Sequence, residues 1–253
     1  MAEHSRGFEL QLGDGRRALA LRVPQATPAA EVVAGLGLTP TRGLVVLNGG
    51  TAELEPVLAG ALRRVVGDEL ARMAGAQRLT LVTGGTRAGI FALLGEGLAA
   101  HGLTAPCIGV VPAGRVTWPG GPSGDGELVP LEPHHTHFVL VDGSAWGDET
   151  ATLCALTDEL ARAAPSVVVL ASGGAVARAE ITHHVRQGRE VVVIAGSGRL
   201  ADDIAAALAG DRPPDPAVAP LLGGRFTVFD LAEGAGLDHL VLRLLGLPGP
   251  APA

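Results

Sequence analysis

The chain has 253 residues, 47% of them hydrophobic and only 3% aromatic, with a formal net charge of −7. It has no run of Lys and Arg to follow a phosphate backbone, no apolar run of the roughly 18 to 20 residues that span a bilayer, and no apolar signal core after the polar start Met1 to Arg6. Nucleic acid and membrane are thereby excluded as expected partners, and a cytoplasmic α/β protein with a core of Ala, Val and Leu is expected.

Taken in chain order, residues 8–12 and 17–23 alternate around Gly13-Asp14-Gly15, the pattern of a β-hairpin whose turn needs positive φ. A short helix follows Pro28. Residues 1–38 therefore read as a hairpin and helix packed on a main domain at 39–246, with 247–253 as a flexible tail. From residue 39 the chain repeats an apolar run, a glycine turn and an amphipathic Ala/Leu stretch, which is βα alternation. The strands are expected at Leu44–Leu47, Leu79–Val82, Ile108–Val111, Phe138–Val141, Val167–Leu170, Val191–Ala195 and Phe226–Phe229. Continuous rather than alternating apolar character indicates strands covered on both faces, so the fold class is α/β, Rossmann-like, with a mostly parallel sheet and helices on both sides. The pattern predicts helices near 53–75, 87–100, 148–163, 175–187, 199–209 and 233–245. Ala113 to Pro130 has no period and reads either as a lid or as a disordered insertion. The Pro-rich stretch 212–220 reads as a linker. Cys107 and Cys154 sit in apolar surroundings without CxxC spacing, as small core residues.

Four expected strands end in glycines before a helix: Asn48-Gly49-Gly50, Thr83-Gly84-Gly85-Thr86 with Gly89, Ser172-Gly173-Gly174, and Gly196-Ser197-Gly198-Arg199. In an open parallel sheet all strand C-termini lie on one edge, so these turns converge, and glycine amides with helix N-termini make an anion cradle there. Neither GxxxxGK[ST] nor GxGxxG is present, which argues against triphosphate hydrolysis and ordinary NAD-dependent hydride transfer. Arg199 reads either as a clamp on a phosphate or carboxylate or as a surface partner of Asp202 or Asp203. Thr86 and Ser197 serve as anion donors or as N-caps.

The histidines of Glu132-Pro133-His134-His135-Thr136-His137 precede a buried strand. His135 and His137 would share a face, open to metal or ligand, or would tie the loop to backbone carbonyls; zinc would further need His183 and His184, which an exposed helix face explains, so no metal is expected. Asp142, with Gly143 after it, ends the strand as a ribose acceptor or as a helix cap near Trp146.

At these residues the chain becomes recognisable. Glu132 to Gly143 is similar to the NHTHFxLVDDG stretch of the cytosolic N-terminal region of melastatin-type TRP channels (TRPM). Thr83-Gly84-Gly85-Thr86-Arg87-Ala88-Gly89, Ser172-Gly173-Gly174 and Gly196-Ser197-Gly198-Arg199-Leu200-Ala201-Asp202 match further motifs in the same order. Without channel segments, the chain resembles the free-standing prokaryotic relatives in the SLOG superfamily, which includes the lonely-guy phosphoribohydrolases and DprA-like proteins. The resemblance implies a pocket for ADP-ribose, cyclic ADP-ribose or a related nucleotide, with no other cofactor required, and assembly into homo-oligomers. It points to Gly84, Gly85, Thr86, Gly89, Gly173, Gly174, Gly196, Ser197, Gly198 and Arg199 as ligand contacts. The lonely-guy motif PGGxGTxxE appears here as Ser172-Gly173-Gly174-Ala175-Val176-Ala177-Arg178-Ala179-Glu180, keeping the glycines and Glu180 but losing the inner Gly-Thr. Ser172 stands where TRPM has Glu, and His134 where it has Asn. Glu180 reads either as the carboxylate that helps cleave an N-glycosidic bond or as a solvated helix residue. A non-catalytic or weakly catalytic ligand sensor is the leading expectation, and a nucleotide N-glycosidic hydrolase the alternative.

Overall fold

The computed structural model describes residues 7–102, 106–123, 127–210 and 216–249. Eleven strands and eight α-helices run in the order β1 (Phe8–Gln11), β2 (Arg17–Val23), α1 (Ala29–Gly35), β3 (Leu44–Gly49), α2 (Pro56–Leu62), α3 (Ala71–Gln77), β4 (Thr80–Thr83), α4 (Gly89–His101), β5 (Cys107–Pro112), β6 (Val116–Thr117), β7 (Val129–Pro130), β8 (His137–Val141), α5 (Thr150–Ala161), β9 (Ser166–Ala171), α6 (Ala175–Arg186), β10 (Glu190–Ala195), α7 (Arg199–Leu208), β11 (Arg225–Asp230) and α8 (Leu237–Leu244). Nine strands form one sheet in the order β1-β2-β8-β5-β4-β3-β9-β10-β11. Only β1 is antiparallel, pairing Leu10 with Ala18 in the N-terminal hairpin. The second hairpin strand then pairs in parallel with β8, so the hairpin extends the main sheet.

The uninterrupted apolar strands follow from coverage of both faces. Val45 and Leu47 of β3 join the cluster under α3, α4 and α8, whereas Leu44 and Val46 join the cluster under α1, α5, α6 and α7. A smaller cluster joins the hairpin to Val116 and Leu131. Cys107 and Cys154 are buried and free. Among the described residues, no helix is long and apolar enough to cross a membrane.

The differences from the expected elements have local causes. The helix expected from 53 starts at Pro56, whose ring suits the first turn and disfavours helical backbone before it; Glu55 caps it from outside. π-helical turns over Arg63–Leu70 then carry it into α3. The helix expected from 233 starts at Leu237, because Gly234 and Gly236 are both left-handed and end a short 3-10 turn first. The stretch Ala113–Pro130, apart from residues 124–126, which lie outside the described residues, is pinned at its ends by the β6–β7 pair and by the Leu131 amide on the Thr117 carbonyl. The expected linker and tail fall partly outside the described residues.

Candidate functional site

The sheet order reverses between β3 and β9: the chain builds β3, β4, β5 and β8 outward on one side, then returns to place β9 against the other side of β3. Loops leaving neighbouring strands at such a point depart toward opposite faces and leave a crevice at the carboxyl edge. A cleft of about 260 Å³ opens there, lined by Gly49 at the end of β3 and Gly50 after it, Gly84 and Thr86 after β4, Trp146 and Glu149 after β8, Gly174 before α6, Ala175 to Ala177 and Glu180 of α6, and Arg199 of α7. A second lobe of about 230 Å³ is lined by Gly173, Arg178, Leu200 and Asp203 and shares Gly174, Ala175 and Arg199 with the first.

Close backbone approach builds the rim. Gly89 has φ +51°, and a Cβ there would collide with the Gly50 carbonyl, so the first and second turns touch only through glycine. The α4, α6 and α7 helices start at Ala88, Gly174 and Gly198 with no side chain capping them. Their first amides add partial positive charge at this edge. Arg199 crowns the junction of the lobes: its Nη2 lies 3.0 Å from the position a Cβ on Gly174 would take. Among the described residues, Arg199 is also one of three non-glycine residues with positive φ, at +53°, and Ser172, at +58°, is another. Such backbone costs L-residues about 1–2 kcal/mol, and both residues flank the cleft.

Arg199 forms no ion pair with Asp202 or Asp203 among the described residues; Asp202 instead accepts the Gly196 amide at 2.7 Å. Ser197 is engaged internally, accepting the Ser172 amide and donating to the Ile194 carbonyl, so its proton is spent on tying the β9 and β10 turns together. Gly198 forms the start of α7, and Gly196 shapes the turn before it with φ +83°. Gly85 lies behind the cleft, its amide on Thr83 Oγ1. Thr86 lines the cleft and is 1% exposed, and its buried hydroxyl has no partner among the described residues. Asp142 is turned to Arg22 in an exposed pair at 2.8 Å, and the Gly143 carbonyl accepts the Gly114 amide, so neither lines either lobe.

Glu180 is buried rather than solvated, and Asn48 Nδ2 donates to it at 2.5 Å. Burial, helped by Glu149, pushes its carboxyl up to about 8 against the lowering effect of Asn48. Asn48 Oδ1 is left without a partner among the described residues. Glu149 escaped the sequence reading; its carboxyl, raised chiefly by burial, accepts the Gly147 amide. The signal available was position: Asp142 to Glu149 is the loop leaving β8 at the glycine edge. Trp146 stands at the cleft, with the Arg115 guanidinium 5.4 Å from its ring centre.

The histidine stretch serves another purpose. Glu132 holds His134 Nδ1 at 2.7 Å, the His134 amide at 2.8 Å and His135 Nδ1 at 2.8 Å, and His135 Nε2 meets Thr83 Oγ1 at 2.8 Å. Burial opposes a charge on His135, but Cys107 and Glu132 overcome it and push the imidazole up to about 10. Glu132 is correspondingly lowered by both histidines despite its burial. Gly95 of α4 makes room for the carboxylate, since a Cβ there would collide with it. His137, lowered by burial, meets only Thr136 Oγ1 among the described residues, so His135 and His137 do not converge. The exposed face expected for His183 and His184 is corrected: His184 is fully buried beside Arg189, and His183 pairs with Asp158 at 2.9 Å, because α6 packs this side against α5. Among the described residues, no group of three or more His, Cys, Asp or Glu is placed to hold a metal.

A family model described as "SLOG in TRPM, prokaryote" matches residues 42–236. Transient receptor potential cation channel subfamily M member 2 of Mus musculus is 25% identical over 224 residues, covering 73% of this chain and 15% of the channel. Its counterpart from Rattus norvegicus is 26% identical over 204 residues, covering 67% of this chain and 13% of the channel. The chain thus spans a small part of the length of these relatives.

Proposed function

Because the chain belongs to the prokaryotic family of SLOG domains related to TRPM, we propose that its cleft binds a nucleotide-derived ligand such as ADP-ribose or cyclic ADP-ribose. The observation that carries this is Arg199, a guanidinium with no ion pair among the described residues, at an uncapped helix start where two lobes meet. A phosphate or pyrophosphate fits that junction, with the α6 amides on its other side. Trp146 offers its ring to a base in the first lobe, and the second lobe takes the distal part of the ligand. Calorimetry of the full chain with ADP-ribose, cyclic ADP-ribose, NAD and AMP tests the reading. Micromolar to sub-millimolar binding of at least one is expected, and no binding of any at millimolar concentration overturns it.

The Glu149–Glu180 pair favours a second reading, hydrolysis of an N-glycosidic bond. A protonated Glu180 would protonate the departing base while Glu149 takes a proton from the attacking water. Chromatography of NAD or AMP incubated with the protein and with Glu180→Gln decides: Glu180-dependent release of base supports hydrolysis, and its absence leaves binding alone.

A further inference from the structure

The floor of the first lobe holds two carboxyl groups with no cation paired to either. Glu180 reaches it from α6 and Glu149 from the residue before α5, each 6% exposed. Glu180 receives the Asn48 amide and Glu149 the Gly147 backbone amide; among the described residues neither forms an ion pair. Among the described residues, the surroundings supply no buried counter-charge that is not already paired. Cys154 on α5 has its thiol pushed up to about 12 by burial and by the nearby Glu180 and Asp158. Arg189 is committed to Asp158 at 2.7 Å, and burial beside that arginine pushes His184, one turn along α6, down to about 3. Asp148, next to Glu149, accepts the amides of Ser144 and Ala145. Arg199 lines the same lobe from α7 but is exposed to solvent. Two carboxylates facing one poorly solvated space repel, and the lower-energy state keeps one proton between them.

Two further polar atoms close to this floor lack partners among the described residues: Asn48 Oδ1, in the amide that donates to Glu180, and Thr86 Oγ1, on a residue that lines the lobe, both residues being 1% exposed. An acid that donates in the same lobe as a carboxylate that accepts complements a group that both accepts and donates, which is a hydroxyl. A phosphate oxygen would meet the opposite of what it needs in Glu149.

We propose that Glu149 and Glu180 share a single proton, and that the acid so kept on Glu180 donates to a sugar hydroxyl of the ligand, while the phosphate lies at the Arg199 end. This rests on the binding role above and adds the orientation of the ligand and the residues that read its sugar.

Calorimetry with ADP-ribose, whose pyrophosphate stays ionised throughout, is run on the full chain from pH 6 to 9.5. Affinity is expected to hold to about pH 7.5 and then fall toward tenfold per pH unit as the shared proton leaves. Glu180→Gln keeps a donor without a titrating proton, so the affinity that it retains should show no fall across the same range. Glu149→Gln removes the like charge and should move the fall to lower pH. Constant affinity through pH 9.5, or a fall that survives in Glu180→Gln, overturns the inference while leaving the binding role intact. Absence of binding at every pH overturns the binding role itself, and the shared proton is then judged on the ligand-free protein: a carbon-13 carboxyl resonance that titrates near 8 and vanishes in Glu180→Gln supports it, and none overturns it.

Discussion

Around His135 each buried polar group is answered from within the protein, whereas around Arg199 the protein leaves groups unanswered. Glu132, His134, His135, Thr83 and the Gly85 amide form a closed chain of bonds that locks the second glycine turn. Next to the cleft, Thr86 Oγ1 and Asn48 Oδ1 lack partners among the described residues and three helices start uncapped. Both stretches are unusual in sequence, yet one is architecture and the other is a receiving surface. Unusual residues alone do not tell the two apart; the state of their hydrogen bonds does.

The sharpest way to break that contrast is at Glu132. Replacing it with Ala leaves His135 buried and without its counter-ion, which should cost about 3–5 kcal/mol in urea unfolding. A loss below about 1 kcal/mol together with weakened ADP-ribose binding would place the histidine stretch among the ligand contacts.

At Arg199 the order of effects should reverse. Arg199→Ala should weaken ADP-ribose binding about 10- to 100-fold, the worth of a charge-assisted contact, while leaving unfolding of the free protein within about 0.5 kcal/mol. Arg199→Gly sharpens the point, because it relieves the left-handed backbone: stability should rise by up to about 1 kcal/mol as binding is lost. Equal binding by all three proteins would remove Arg199 from the site.

The buried acid gives a smaller effect with a definite sign. Folded Glu180 keeps its proton up to about 8, whereas the unfolded chain releases it near the ordinary 4.5. The folded state therefore binds more protons between these values, and this contribution to stability is full below 4.5 and lost as pH rises toward 8. Its slope is at most about 1.4 kcal/mol per pH unit. Thermal melts of the protein and of Glu180→Gln across pH 4.5–8 should diverge with the variant gaining relative stability as pH rises. Parallel curves would mean that Glu180 is ionised in the fold.

The smallest change is expected at Asp142, whose pair with Arg22 is exposed on both sides. Asp142→Asn should alter stability by less than about 1 kcal/mol and leave ADP-ribose affinity unchanged. A tenfold loss of affinity would return Asp142 to the ligand.

Much of this was legible from local pattern. The apolar runs that became β3, β4, β5, β8, β9, β10 and β11 are each read from a few consecutive residues, and the same holds for the glycines that follow them. The fate of individual polar side chains was not legible in this way. Asn48 and Glu180 are 132 positions apart, and His135 meets Thr83 across 52. Glu149 carries no motif and enters the cleft only because its loop leaves β8 at the same edge as the glycines.

By itself the sequence determined the parallel α/β layering and the edge at which its glycine turns gather, because hydrophobic period and backbone freedom are local properties. Only the tertiary structure decided that the crevice lies between β3 and β9, that Ser197 and Asp142 are bonded elsewhere, that His184 is buried, and that Glu149 and Glu180 share one floor. Those outcomes depend on strand order and helix packing, which set burial and the distances between charges, and no window of neighbouring residues contains them.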